Sequence, residues 1–188
     1  MASSATLATK YQKKSDKEHV LDNPDTYTGS MTETEYDTYV FSEGMVIPKQ
    51  IKLIPGLYKL FDEGIVNCRD HQVRMAQSTD ENTNQVTHID IEVNEEGIIT
   101  MMNDGNGIDV AKHPEFDVWI PELIFGHLRT STNYNKNEKR IVGGKNGFGF
   151  KLVLIWSEWG TVETIDHTRK LLYTQRFANN LDVIEPPV

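Results

Sequence analysis

Residues 143–151, GGKNGFGFK, set four glycines, two lysines and an asparagine directly ahead of the apolar run LVLIW. Glycine costs backbone entropy, so something here requires its permissive dihedrals or its missing Cβ. Two nucleotide-binding signatures can be tested by counting. A Walker A loop needs G-x-x-x-x-G-K-[ST]. Gly144 to Gly149 has that glycine spacing, but Phe150 follows, Lys151 comes one place late, and Leu152 stands where the hydroxyl belongs. The dinucleotide fingerprint G-x-G-x-x-G fits Gly147 and Gly149 and then meets Leu152. Neither holds. A physical argument remains: successive backbone N–H groups ahead of a helix can cradle an anion, and Lys145 and Lys151 add charge that suits phosphate. An ordinary glycine-rich turn capping a core helix would use the same residues.

Two further clusters carry polar groups at usable spacing. Glu63, Asn67 and Asp70 stand at i, i+4 and i+7 of a helix-like stretch, which brings them to one face. That face borders an apolar stripe of Leu57, Leu60, Phe61 and Cys68. A carboxylate beside a core edge can be held partly out of water, in a geometry that suits a general base. A solvated polar face accounts for the same three residues. The other cluster is NDGNG, 103–107, directly after the strand-like IITMM. Asparagine and glycine tolerate the tight backbone needed where a sheet ends and a ligand approaches, and N-D-G is also a common turn sequence.

These pieces need elements to hold them. Residues 56–75 read as a helix entered at Pro55, with apolar residues three and four apart. HIDIEV (88–93) alternates, EEG turns, and IITMM (98–102) answers it as a hairpin. A second helix starts near Pro121, and STNYNKNEKR (131–140) is a polar loop leading to the glycines. TVETI (161–165) and KLLYTQRF (170–177) read as strands, YVF (39–41) and IKLI (51–54) as short β runs, and NPDTYTG (23–29) as turn-rich. Residues 1–18 are polar and read as an arm. No repeat is visible. Helices together with an antiparallel sheet predict a two-layer α+β domain.

At 188 residues and 38% hydrophobic, the chain suffices for one well-cored domain and is short for two. Its 19 basic against 28 acidic side chains give a net charge of −9, the wrong sign for a protein that coats DNA nonspecifically. A phosphate ligand must therefore be held by local devices. Cys68 is the only cysteine, which rules out an internal disulfide and suits a reducing interior. The longest apolar stretches, Leu152–Trp156 and Val118–Phe125, are far below membrane-span length, and MASSATLATKYQKK lacks the regions of a signal peptide. An intracellular domain with no membrane partner is expected.

Taken in order, E-x-x-x-N on a helix, N-x-G-x-G after a strand and GGxNGxGxK before a helix are similar to the motifs of the GHKL ATPases. That superfamily takes in gyrase, type IIA topoisomerases, heat-shock chaperone ATPases, MutL proteins and histidine kinases. Within it the chain resembles the N-terminal ATPase domain of eukaryote-type topoisomerase II, through YQKKSDKEHVLDNPDTYTGS, IPGLYKLFDEGIVNCRD, NDGNGIDVAKH, IPELIFGHLRTSTNY and IVGGKNGFGFKL. Some departures would suit a large DNA virus or a divergent lineage. The fold this implies is the Bergerat type: a mostly antiparallel sheet covered by helices on one face. Residues 1–22 would be an arm that straps across a dimer, and 23–188 the ATP-binding domain.

The resemblance implies ATP and Mg²⁺ as ligands. Glu63 matches the acid that activates the attacking water, and Asn67 the asparagine that holds the metal. Asn103 matches the reader of the adenine amino group, with Ile108 and Phe125 lining the adenine slot. Ser131, Thr132 and Asn133 match a stretch that contacts ribose and phosphates. Gly144, Lys145, Asn146, Gly147, Phe148 and Gly149 would wrap the triphosphate, with Lys151 neutralising its charge. Arg74 is a further candidate for a phosphate contact. Tyr11 matches an arm residue that reaches the partner protomer's nucleotide.

Four positions depart from the pattern. Asn23 replaces the arginine of R-P-x-x-Y-x-G, His71 an asparagine that contacts phosphates, Asp109 a proline, and Phe150 a small residue beside the phosphate loop. The transducer and DNA-cleavage regions of such enzymes find no counterpart here, so the chain is expected to be an ATPase portion that binds ATP and turns it over slowly alone. The implied role is a gate: ATP closes a homodimer around duplex DNA, and strand passage relaxes or decatenates it, in the nucleus or at cytoplasmic replication sites if viral. A histidine kinase would need a phospho-acceptor helix upstream, and only His19 lies there. A non-catalytic nucleotide sensor would not need Glu63.

Overall fold

The computed structural model describes residues 10–128, 130 and 148–188. Ser131, Thr132, Asn133, Gly144, Lys145, Asn146 and Gly147 lie outside the described residues.

Local chemistry explains most element boundaries. Helix α1, Asp16–Asp22, opens on a capping box in which the Ser15 hydroxyl accepts from the Glu18 N–H and the Glu18 carboxylate accepts from the Ser15 N–H at 2.7 Å. Pro24 opens the short helix α2, Pro24–Tyr27, where its missing N–H costs nothing. Strands β1, Thr34–Ser42, and β2, Met45–Leu53, form an antiparallel ribbon closed by Glu43 and Gly44, both with positive φ. Pro55 then starts the 23-residue helix α3, Pro55–Gln77.

Strands β3, Ile89–Val93, and β4, Ile99–Asn103, make the expected hairpin, with the Asn94 side chain accepting from the Glu96 and Ile98 N–H groups. Helix α4, Ile120–Gly126, carries Pro121 in its first turn, and helix α5, Gly149–Ile155, follows the glycine stretch. The chain closes with β5, Trp159–Asp166, β6, Leu171–Ala178, and β7, Val183–Ile184, in one antiparallel sheet. Val188 extends the β6 edge by exchanging backbone hydrogen bonds with Thr174. The α+β expectation holds: among the described residues every strand ladder is antiparallel, and helices pack against the strands.

Two apolar clusters meet at α5. Its one side contributes Leu152 and Ile155 to a cluster with Val20 and Leu60, and its other side sends Leu154 against Val162 and Phe177. Val20 is fully buried, so the part of the polar arm that lies in α1 is docked on the domain. Among the described residues no helix is long and apolar enough to cross a membrane.

Three expectations change. Leu57, read as part of the buried stripe of α3, is 57% exposed. The buried positions are Gly56, Leu60, Gly64 and Cys68, a four-residue repeat in which two glycines admit neighbouring chains. The YVF run and residues 51–53 of IKLI belong to nine-residue strands whose side chains are mostly exposed, so no burial alternation marked their length, and Ile54 caps α3 instead. The turn-rich NPDTYTG folds as a helical turn.

Candidate functional site

Helix α3 carries Glu63, Asn67, Asp70, His71 and Arg74 along its length. Near its N-terminal half, Glu63 is one-fifth exposed and pairs with Lys59, Nζ to Oε1 2.9 Å. Its other oxygen, Oε2, faces the start of α5: a Cβ built on Gly149 would lie 3.5 Å from it and would meet no other described atom within 4 Å. Gly149 and the Glu63 carboxylate thus stand within contact distance of each other where α3 meets α5.

One turn further along, Asn67 is exposed. Its amide oxygen is a donor of the hard kind that magnesium takes together with water and phosphate oxygens. Asp70 is half-buried on the same side of the helix.

The strand β4 lies on α3 at close range. A Cβ on Gly64 would stand 2.3 Å from the Met101 sulfur, so glycine is what lets strand and helix approach. Asn103, the last residue of β4, is half-buried and hydrogen-bonds the Cys68 thiol, whose pKa burial pushes up.

Loop 103–110 is braced on every side. The His71 ring nitrogen Nε2 lies 2.9 Å from the Asn106 carbonyl. The Asp104 carboxylate accepts from Thr87 N at 2.8 Å, Thr87 Oγ1 at 2.5 Å and His88 N at 2.9 Å, which hold its pKa down at about 2. Ile108 N donates to Thr164 Oγ1 at 2.8 Å, and Val110 N to the buried Asp166 carboxylate at 2.9 Å. Gly107 rides directly over β5, where a Cβ would come within 1.9 Å of the Ile165 carbonyl oxygen. Asp109, at the position of the expected proline, pairs with Arg169 at 2.5 Å, and Arg169 also binds Asp166 at 2.8 Å. Those contacts pull the Asp166 carboxyl far below the usual range, chiefly through the Arg169 N–H.

The start of α5 packs inward. Phe148 tilts onto Tyr27 of the NPDTYTG motif, with ring centroids 5.8 Å apart, which ties that motif to the glycine stretch. Phe150 stands edge-on to Phe125 at 5.8 Å and joins the apolar cluster, so the bulky residue that follows the glycine stretch fills core, and Phe125 is held with it. Lys151 is buried and donates from Nζ to the Thr130 carbonyl at 2.6 Å. Burial lowers its pKa to about 8. Arg74 is half-buried near His71, and burial lowers its pKa. Tyr11 is 71% exposed, with the Lys10 ammonium over its ring.

Residues 53–177 match the family described as histidine kinase-, DNA gyrase B-, and HSP90-like ATPases. The chain belongs to this family. It is 45% identical, over 97% of its length, to the DNA topoisomerase 2 of Acanthamoeba polyphaga mimivirus, and spans 14% of that relative. The ATPase region of Saccharomyces cerevisiae topoisomerase II superposes with a TM-score of 0.88 at 39% identity, covering 97% of this chain and 47% of that one. The 43K ATPase domain of Thermus thermophilus gyrase B superposes at 0.60 and 22% identity, over 92% of this chain and 34% of that one, a likeness of fold. The expected resemblance to topoisomerase II within the GHKL ATPases therefore holds.

Sequence reasoning missed Lys59. Its signal was the K-x-x-x-E spacing, which puts an ammonium one turn before the carboxylate. Asp104, Thr164 and Asp166 were missed as well, because their partners lie 16 to 56 residues away.

Proposed function

We propose that the chain binds and hydrolyses ATP as the gate domain of a type IIA topoisomerase. In this reading ATP draws two copies together, and hydrolysis resets them after one DNA duplex has passed through another. The observation that carries the nucleotide part is the approach of Glu63 Oε2 to Gly149 at the start of α5, on a helix that also grips loop 103–110. The likeness to topoisomerase 2 of mimivirus and yeast supports the DNA part.

Within such a site Glu63 takes a proton from the attacking water through Oε2, while Lys59 holds Oε1 and keeps the carboxylate aimed at Gly149. Asn67 offers its amide oxygen to magnesium, which when bound neutralises phosphate charge. Asn103 reads the adenine edge from the end of β4, with Ile108 against the ring. Ser131, Thr132 and Asn133, the segment Gly144, Lys145, Asn146, Gly147 and Phe148, and Lys151 contact the ribose and phosphates. Tyr11, which is exposed, would reach the nucleotide of the partner protomer.

Replacing Glu63 by alanine tests this. The variant is expected to bind magnesium–ATP as the wild type does and to lose turnover by roughly 10²–10⁴-fold, measured as phosphate release under single-turnover conditions. Unchanged hydrolysis would remove Glu63 from the role of base. DNA stimulation of hydrolysis, measured in a polypeptide extended to the length of the relatives, tests the topoisomerase part.

A further inference from the structure

We propose that His71 is a positioning residue for the purine end of the site and makes no contact with the phosphates; this rests on the nucleotide reading above. The hydrogen-bond partner of its Nε2 is a carbonyl oxygen, that of Asn106 at 2.9 Å, so Nε2 must carry the hydrogen. Burial, reinforced by the nearby Arg74, lowers the His71 pKa and keeps the ring neutral at neutral pH. A neutral ring protonated at Nε2 has only a lone pair at Nδ1, which repels a phosphate oxygen. The one donor His71 owns is spent on the loop.

The surroundings fit a brace. A Cβ on Gly105 would stand 3.0 Å from His71 Nε2 and 2.5 Å from Val86, so the ring lies flush against the loop backbone. The Asn106 side chain is fixed in turn by the Asn84 N–H at 2.7 Å. His71 lies two turns beyond Glu63 on the same helix. It therefore couples the spacing between the reacting end of the nucleotide and the loop that receives the base. An asparagine at this position would place its amide where Nδ1 now is and could not reach Asn106, whereas a glutamine would place it near Nε2.

That difference gives the test. Affinities for magnesium complexes of ATP, GTP and tripolyphosphate are measured by calorimetry on the wild type, His71→Gln, His71→Asn and His71→Ala, with thermal melting as a check on folding. His71→Gln is expected to keep the ATP affinity within about threefold, while His71→Asn and His71→Ala lose about tenfold on ATP, the worth of one hydrogen bond, and lose preference over GTP. Tripolyphosphate binding is expected to stay level throughout. Full ATP affinity in His71→Asn, or a parallel fall for tripolyphosphate, overturns the assignment. If the alanine variant fails to fold, the glutamine and asparagine pair decides alone. Long-range ¹H–¹⁵N correlation on the wild type is expected to show His71 protonated at Nε2, and protonation at Nδ1 alone overturns it. A wild type that binds no ATP would instead sink the nucleotide reading itself.

Discussion

Lys59 and Glu63 divide the work of one carboxylate: the ammonium sits 2.9 Å from Oε1, and Oε2 is left facing Gly149. The pair stands one helical turn apart, so α3 itself sets the direction of the oxygen. The Lys59 pKa is raised, first of all by its hydrogen bond to Glu63, and Asp62 at 3.2 Å adds to the same effect.

Lys59→Met frees the carboxylate to rotate. Turnover is expected to fall roughly ten- to a hundredfold, since small misplacements of a reacting group cost that much, while ATP affinity stays level. Stability should fall by only about 0.3–0.5 kcal/mol, the usual worth of such a helical pair. Parallel rate and melting measurements separate the two, and a rate loss matched by gross unfolding would contradict the positioning role.

Lys151 gives a pH dependence whose sign can be worked out. Burial lowers its pKa from 10.5 to about 8. Below pH 8 the ammonium is charged in folded and unfolded chains alike. Between 8 and 10.5 the unfolded chain holds more protons, so this residue adds stability as pH rises through that window.

If the proposed function holds, nucleotide binding is expected to reverse the burial effect, because a triphosphate favours the ammonium. At pH 8.5 ATP binding is expected to take up a fraction of a proton, read by calorimetry in buffers of different ionisation enthalpy. Lys151→Met should abolish that uptake. Equal uptake in both proteins would place the titrating group elsewhere.

Gly107 and Gly64 are both close-approach positions, yet they should respond differently. At Gly107 the obstructing atoms are the Ile165 backbone, 1.9 and 2.6 Å away, which cannot step aside without opening β5. At Gly64 the obstruction is the flexible Met101 side chain. Gly107→Ala is expected to cost about 1–3 kcal/mol or more in urea unfolding and to weaken ATP binding, with Gly64→Ala the milder of the two. The reverse order would mean that loop 103–110 is not seated on β5.

Much of the fold was legible from periodicity and punctuation. Pro55 and the three- and four-residue spacing announced α3, and the alternation of HIDIEV with IITMM across EEG announced the β3–β4 hairpin. The β1–β2 ribbon was legible only in fragments. Tyr39, Phe41 and Val46 are 73%, 76% and 67% exposed, so nothing in the hydrophobic pattern marked its extent, and Pro48 in mid-strand reads as a breaker although a ribbon edge tolerates it. Leu57 was misplaced because the stripe on α3 turns on Gly56 and Gly64, which carry no hydrophobic signal of their own.

For the site, the motif order named the segments expected to converge, of which 131–133 and 144–147 lie outside the described residues. What it could not supply was the bracing. Asp166 reaches Val110 and Thr164 reaches Ile108 across 56 residues, and these contacts follow from how β5 lies beneath the loop. Lys151 was expected to face phosphate, and its donation to the Thr130 carbonyl depends on packing around α5.

The most direct test is a crystal structure of the chain with magnesium and a non-hydrolysable ATP analogue. The γ-phosphate is expected beside Glu63 with the attacking water between it and Oε2, the metal against Asn67, and the adenine against Asn103 and Ile108. A nucleotide bound elsewhere, or none at millimolar concentration, would contradict the proposed function.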